Sequence, residues 1–171
     1  MVNMIRITDR VMGMEYAIRD VLVAAKQLEK QGKKILYFNI GDPVAYGFET
    51  PEHVRRALYE ATNKGYNGYA DSQGVLPLRE AVCEREKRVN GVDLTPENVI
   101  VTSGTAEGIN FLFGATVEQG DEILVPGPAY PQYISVPKFY GGKAVTYRTV
   151  EEEGWKPDLD DLRKKIRKRT R

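Results

Sequence analysis

The sequence predicts an α/β fold, with a mainly parallel sheet flanked by helices. Three observations carry that expectation. From about residue 98 onward, strand-like and helix-like runs alternate, the pattern of parallel strands joined by crossover helices. "VIVT" at 99–102 is a β-branched run, which suits a pleated surface. Ile109, Leu112 and Phe113 then recur at helical spacing, which fits an amphipathic helix.

The elements follow in order. Residues 15–31 place Ile18, Val21, Leu22, Ala25 and Leu28 on one helical face, with Gly32 as C-cap. "KILYFNIGDP" reads as a short strand and a loop at Gly41-Asp42-Pro43. "TPEHVRRALYEATNKG" reads as a helix with Thr50 as N-cap, Pro51 at its first position and Gly65 beyond its end. Val54, Ala57, Leu58 and Ala61 form its apolar stripe. "YNGYADSQG" is a loop, and 75–89 a helix with Leu78, Val82 and Val89 inward. After the strand, turn and helix of 99–115 comes "DEILVPGPAYPQY", a strand breaking into a proline-rich loop. A short helix at 131–140 carries Pro137, which should end or kink it. "GGKAVTYRTV" is another strand, and "PDLDDLRKKIRKRTR" a helix capped by Asp158, with Leu159, Leu162 and Ile166 inward.

Composition narrows the function. The 171 residues suffice for one sizeable domain or one and a small part. A chain of that size buries roughly 70% of its unfolded surface and needs no disulfide. Lys and Arg number 25 against 24 Asp and Glu, a formal net charge of +1. That balance gives no reason to expect nucleic acid or an anionic membrane as partner. Cys83 is the single cysteine and fits a reducing compartment. No apolar run reaches the ~18 residues of a membrane span, and no signal core follows the start. Cytoplasmic is the expected location.

Ser103-Gly104-Thr105 joins the strand at 99–102 to the following helix. A helix start leaves N–H groups without internal partners and carries partial positive charge. In α/β sheets, ligands bind where strands end and helices begin. A glycine lets the backbone approach a ligand, and two hydroxyls add hydrogen bonds. Together they describe a cup for one phosphate. The rival reading is that Ser103 or Thr105 only caps the helix, as Ser and Thr commonly do. Neither G-x-x-x-x-G-K-[ST] nor G-x-G-x-x-G occurs in the chain, which favours a single phosphate on a non-nucleotide cofactor.

Other residues carry less. His53, the only histidine, falls in the first turn of a helix beside Glu52 and reads as solvated. One histidine makes no metal site. Cys83 reads as a small, partly buried hydrophobe, and Lys138 as a surface lysine. "RKKIRKRTR" reads as the solvated end of a helix, its bases complementing the dipole.

The chain resembles the amino-terminal part of fold-type-I pyridoxal-phosphate aminotransferases. It is most similar to the archaeal alanine/aspartate type of class I. "EYAIRDV", "NIGDP", "TPEHV", "YADSQGVLPLR", "VTSGTAEG" and "DEILVPGPAYPQY" occur in that family's order and spacing, over essentially the whole chain. The resemblance implies an amino-group transfer between an amino acid and a 2-oxo acid. It points first to alanine with 2-oxoglutarate, and next to aspartate. It makes Ser103, Gly104 and Thr105 the turn that binds the phosphate of pyridoxal 5′-phosphate, and Tyr130 the aromatic stacked on its ring. Tyr69 becomes the tyrosine that reaches the phosphate of the neighbouring subunit, which implies a homodimer. Gly41 becomes the loop glycine against the substrate α-carboxylate.

Residues 1–49 should contribute to the small domain, and 50–171 to a truncated large cofactor-binding domain. The family's Schiff-base lysine, pyridine aspartate and carboxylate arginine are expected beyond residue 171, so no catalytic residue is assigned here. The chain is expected to be inactive alone. The alternative class is a phosphate- or cofactor-binding piece, or an interaction module.

Overall fold

A computed structural model describes residues 5–12, 14, 17–39 and 41–171. Glu15 and Tyr16 of "EYAIRDV", Ile40 of "NIGDP" and the side chain of Ile18 lie outside the described residues. The fold is mixed α/β, with helices flanking a small sheet. The chain forms two compact units. One comprises the residues up to Tyr37 together with Ser103–Arg171, and the other comprises Phe38–Thr102.

The first unit contains the sheet. Strand β1 (Glu122–Gly127) pairs in parallel with β2 (Lys143–Val150), from Glu122 opposite Lys143 to Gly127 opposite Arg148. Strand β3 (Lys156–Pro157) adds two antiparallel residues to β2. Helices α5 (Thr105–Thr116) and α6 (Gln132–Phe139) pack on each other, and α6 packs on both long strands. Ile123 and Val125 alternate inward along β1 and meet Ile109 and Phe113 of α5, Val117, and Val136 of α6. That period-2 set meeting a helical stripe is this unit's core.

Helix α7 (Leu159–Lys165) packs on β2. Asp158 caps it, accepting from the N–H groups of Asp160 at 3.1 Å and Asp161 at 3.0 Å. The expected longer helix stops at Lys165, where Ile166 turns extended and stands exposed with Leu159. The basic run beyond it is therefore not a solvated helix end. The Glu122 N–H donates to Arg169 O, and the Arg171 N–H to Glu122 O, each at 2.9 Å. These bonds dock residues 169–171 along β1. Asp121, 1% exposed, takes Arg171 Nε at 3.0 Å and lies 3.6 Å from Arg169 Nε. A chain that finds a strand edge and a buried carboxylate leaves the helix for them.

Two short helices precede this unit's core, α1 (Asp9–Met12) and α2 (Ala17–Lys30). Gly32, at φ +83°, ends α2, with its N–H on Glu29 O and the Lys33 N–H on Leu28 O. Leu22, Ala25 and Leu28 are half-buried, whereas Val21 is exposed.

The second unit holds α3 (Glu52–Asn63) and α4 (Leu76–Asn90). The N-cap of α3 is Pro51, not Thr50, and its carbonyl accepts from Val54 and Arg55. Gly65 closes α3 at φ +84°, and Gly91 closes α4 at φ +67°. Val54 and Leu58 on α3, and Leu78 and Val89 on α4, are exposed. Periodicity identifies a face that favours burial, but not the surface that buries it.

The short strand expected in "KILYFNIGDP" and the strand expected at 99–102 are not strands among the described residues. Val99 is extended at φ −117°, ψ 127°. The Val101 N–H, however, bonds Gln73 O at 2.9 Å, a loop carbonyl rather than a ladder partner. A strand needs a paired edge, and the β-branched residues supply only the conformation.

Candidate functional site

Each expected site residue has a defined place. Ser103-Gly104-Thr105 opens α5 in the first unit, following an extended segment rather than a sheet strand. Gly104 is the N-cap residue, at φ +79° and ψ 169°, and as a glycine it has no side chain with which to cap the helix.

Two features fit the turn to an anion. A Cβ on Gly104 would meet nothing within 4 Å. The Ser103 N–H already donates to a carboxylate, Glu107 Oε2, at 2.5 Å. Glu107 lies in the first turn of α5, where the helix dipole favours negative charge. A phosphate would meet the same field and the same kind of donor.

Tyr130 is in the same unit, three positions past Gly127, where β1 ends. This is the C-terminal end of a parallel strand, the usual ligand side of an α/β sheet. Its ring meets Tyr133 edge to face, with centroids 5.7 Å apart and planes at 81°. The Tyr133 N–H bonds Tyr130 O at 2.9 Å, and Tyr133 packs against the core. Tyr130 is 42% exposed.

Gly41 and Tyr69 belong to the other unit. Gly41 borders a shallow hollow with Asp42, Pro43, Tyr46 and Phe48. Asp42 Oδ1 accepts from the Val44 N–H at 3.1 Å, which shapes the one-turn helix Val44–Tyr46. Tyr69 is fully exposed in the loop between α3 and α4.

The remaining candidates are bland. His53 is exposed on α3, and Cys83 is half-buried on α4. Lys138 is exposed on α6, while its neighbour Pro137 is buried and sits inside the helix without ending it. Among the described residues no cluster could hold a metal ion.

Sequence reasoning gave no role to Arg79, which is 8% exposed. Its side chain bonds Gly74 O, Gln73 Oε1 and Pro96 O. Arginine is rarely buried, so residue type pointed the other way. The only signal was its place in "YADSQGVLPLR".

Comparison with known proteins gives the class. Residues 33–171 match the class I and II aminotransferases. Glutamate-pyruvate aminotransferase AlaA of Escherichia coli is 38% identical over 157 residues, 91% of this chain and 38% of the relative. Aspartate/prephenate aminotransferase of Thermus thermophilus is 39% identical over 153 residues, 88% of this chain and 39% of the relative. The solved alanine aminotransferase of Pyrococcus furiosus superposes with a TM-score of 0.91 at 55% identity, over 96% of this chain and 42% of that one. The chain belongs to the class I and II aminotransferase family. It spans about two fifths of the length of these relatives.

Proposed function

We propose that the protein is a pyridoxal-phosphate-dependent aminotransferase that moves an amino group from alanine to 2-oxoglutarate, with aspartate as the alternative donor. The observation that carries this reading is the Ser103-Gly104-Thr105 turn at the start of α5, in a chain that belongs to the class I and II aminotransferase family. The 55% identity to an alanine aminotransferase supports the choice of donor.

When bound, the cofactor supplies a protonated ring that draws electron density from the amino-acid Cα. The residues of this chain bind and orient it. The hydroxyls of Ser103 and Thr105 hold the phosphate, and the positive end of α5 favours its charge. Tyr130 stacks on the ring, which fixes its plane without competing for its polar groups. Tyr69 reaches the phosphate in the neighbouring subunit of a homodimer. The backbone of Gly41 lies against the substrate α-carboxylate. Residues 1–49 contribute to the small domain and 50–171 to the large one. The location is cytoplasmic. No described helix is long and apolar enough to cross a membrane.

A second reading is favoured by the exposure of Lys138. A lysine on the surface is not the desolvated amine that nucleophilic chemistry uses. The 171 residues alone would then bind phosphate or cofactor without turnover.

The test gives the intact protein pyridoxal phosphate, 2-oxoglutarate and either alanine or aspartate, and follows pyruvate or oxaloacetate. Pyruvate formation supports the first reading, and oxaloacetate alone moves the donor to aspartate. Cofactor binding without product supports the second reading. Absence of both binding and product sinks the two together.

A further inference from the structure

We propose that Arg79 is a positioning residue for Tyr69, acting through a clasp on the loop of residues 66–74. The inference rests on the role given to Tyr69 above. It adds a group that touches neither cofactor nor substrate.

Arg79 is 8% exposed, and its bonds are all to neutral acceptors. Nε donates to Gly74 O at 3.0 Å. Nη1 donates to Gln73 Oε1 at 3.1 Å and to Pro96 O at 2.8 Å. Residues 73 and 74 precede α4, and Pro96 follows it. One guanidinium therefore ties the end of the Tyr69 loop, across a whole helix, to the turn beyond. Burying a charge without such bonds is costly, so the three contacts act together.

The loop end is held from its other side as well. Gly74 sits at φ +99°, and a Cβ there would lie 2.6 Å from Val101 Cβ. The backbone thus lies directly on Val101, whose N–H bonds Gln73 O at 2.9 Å. At the loop start, Asn67 Nδ2 donates to Thr62 O at 3.0 Å, and the Tyr66 N–H to Ala61 O at 3.1 Å. Tyr69 stands between two anchored ends. Being fully exposed, it takes its place from its backbone and not from packing of its ring. Lysine cannot replace the arginine, because a single ammonium lacks the fork that reaches acceptors on both sides.

The experiment compares the intact wild type with Tyr69→Phe, Arg79→Ala, Arg79→Lys and the double variant Tyr69→Phe/Arg79→Ala. One measurement is the affinity of each apoprotein for pyridoxal phosphate, read from cofactor absorbance. The other is amide hydrogen exchange in the loop at 66–74. Arg79→Ala should weaken affinity roughly tenfold, within the usual range of pairwise couplings. Arg79→Lys should do nearly the same, and the double variant should bind no worse than Tyr69→Phe alone. Exchange should quicken at 66–74 and stay unchanged in β1 and β2. If Arg79→Ala does not fold, Arg79→Lys combined with Tyr69→Phe gives the same cycle. Losses that simply add would leave Arg79 a structural residue and overturn the proposal, with the aminotransferase reading intact. A Tyr69→Phe variant that binds normally would overturn it by removing its premise. A wild type that does not bind the cofactor would defeat the functional reading itself.

Discussion

Ser103 and Thr105 flank a glycine at positive φ, and that glycine is the N-cap of the helix that follows. In most helices such hydroxyls spend their hydrogen bonds on capping. Here the Ser103 N–H donates to the Glu107 carboxylate, which lies in the first turn of α5 where the helix dipole favours negative charge. Replacing both hydroxyl residues by Ala in the intact protein should weaken pyridoxal phosphate binding. Each lost hydrogen bond to a charged group is worth about 1.5–3 kcal/mol. Titration of the apoprotein measures this, and an unchanged dissociation constant would remove both residues from the site. At this scale the turn was legible as the start of a helix, and α5 does begin at Thr105. Arg79 was not legible: residue type argues for solvent, and only the fold brings Gly74 O and Pro96 O around it.

Elements show a similar division. Helices with strong local signals, such as α3, α4 and α7, appear where their caps and glycines place them, within a residue or so at most starts. The strands at 122–127 and 143–150 were read from short apolar runs bounded by glycine and proline, and they do find a partner, each other. The stretch at 99–102 was misread because pairing is non-local and cannot be seen in a β-branched run. The C-terminal run was misread for a related reason: its arginines are drawn to Asp121 and Glu122 by contacts about fifty positions away in sequence. This docking has a pH signature. The Glu118 N–H, and then Arg171, hold the Asp121 carboxyl below its ordinary value. The Asp161 N–H and Arg148 do the same for Asp158. Carboxyls lowered in the folded state stabilise it above their unfolded value, about 3.9, and that contribution is lost as pH falls through the lowered values. Stability measured by urea denaturation should therefore fall steadily below about pH 4. Asp121→Asn should be less stable at neutral pH and less sensitive to acid in that window. Parallel profiles for wild type and variant would mean that Asp121 titrates alike in both states.

At the scale of the whole molecule, the chain leaves several apolar faces uncovered, among them Leu58 on α3 and Phe111 and Leu112 on α5. It spans about two fifths of its relatives' length, so periodicity could reveal these faces without revealing what meets them. Tyr69 raises the same question more sharply. It is fully exposed, and an exposed tyrosine can serve a cofactor only if something brings the two together. In a two-fold dimer whose interface holds this loop, each site would borrow a residue from the other chain. The test is to mix intact Tyr69→Phe subunits with subunits lacking the cofactor lysine. If Tyr69 acts across the interface, each hybrid dimer has one site with both defects and one with neither. The hybrid should then recover about half the wild-type activity per dimer, as two-fold symmetry requires. If Tyr69 serves its own subunit, one site lacks the tyrosine and the other lacks the lysine. Activity would then match that of a single Tyr69→Phe site, and the shared-site arrangement would be wrong.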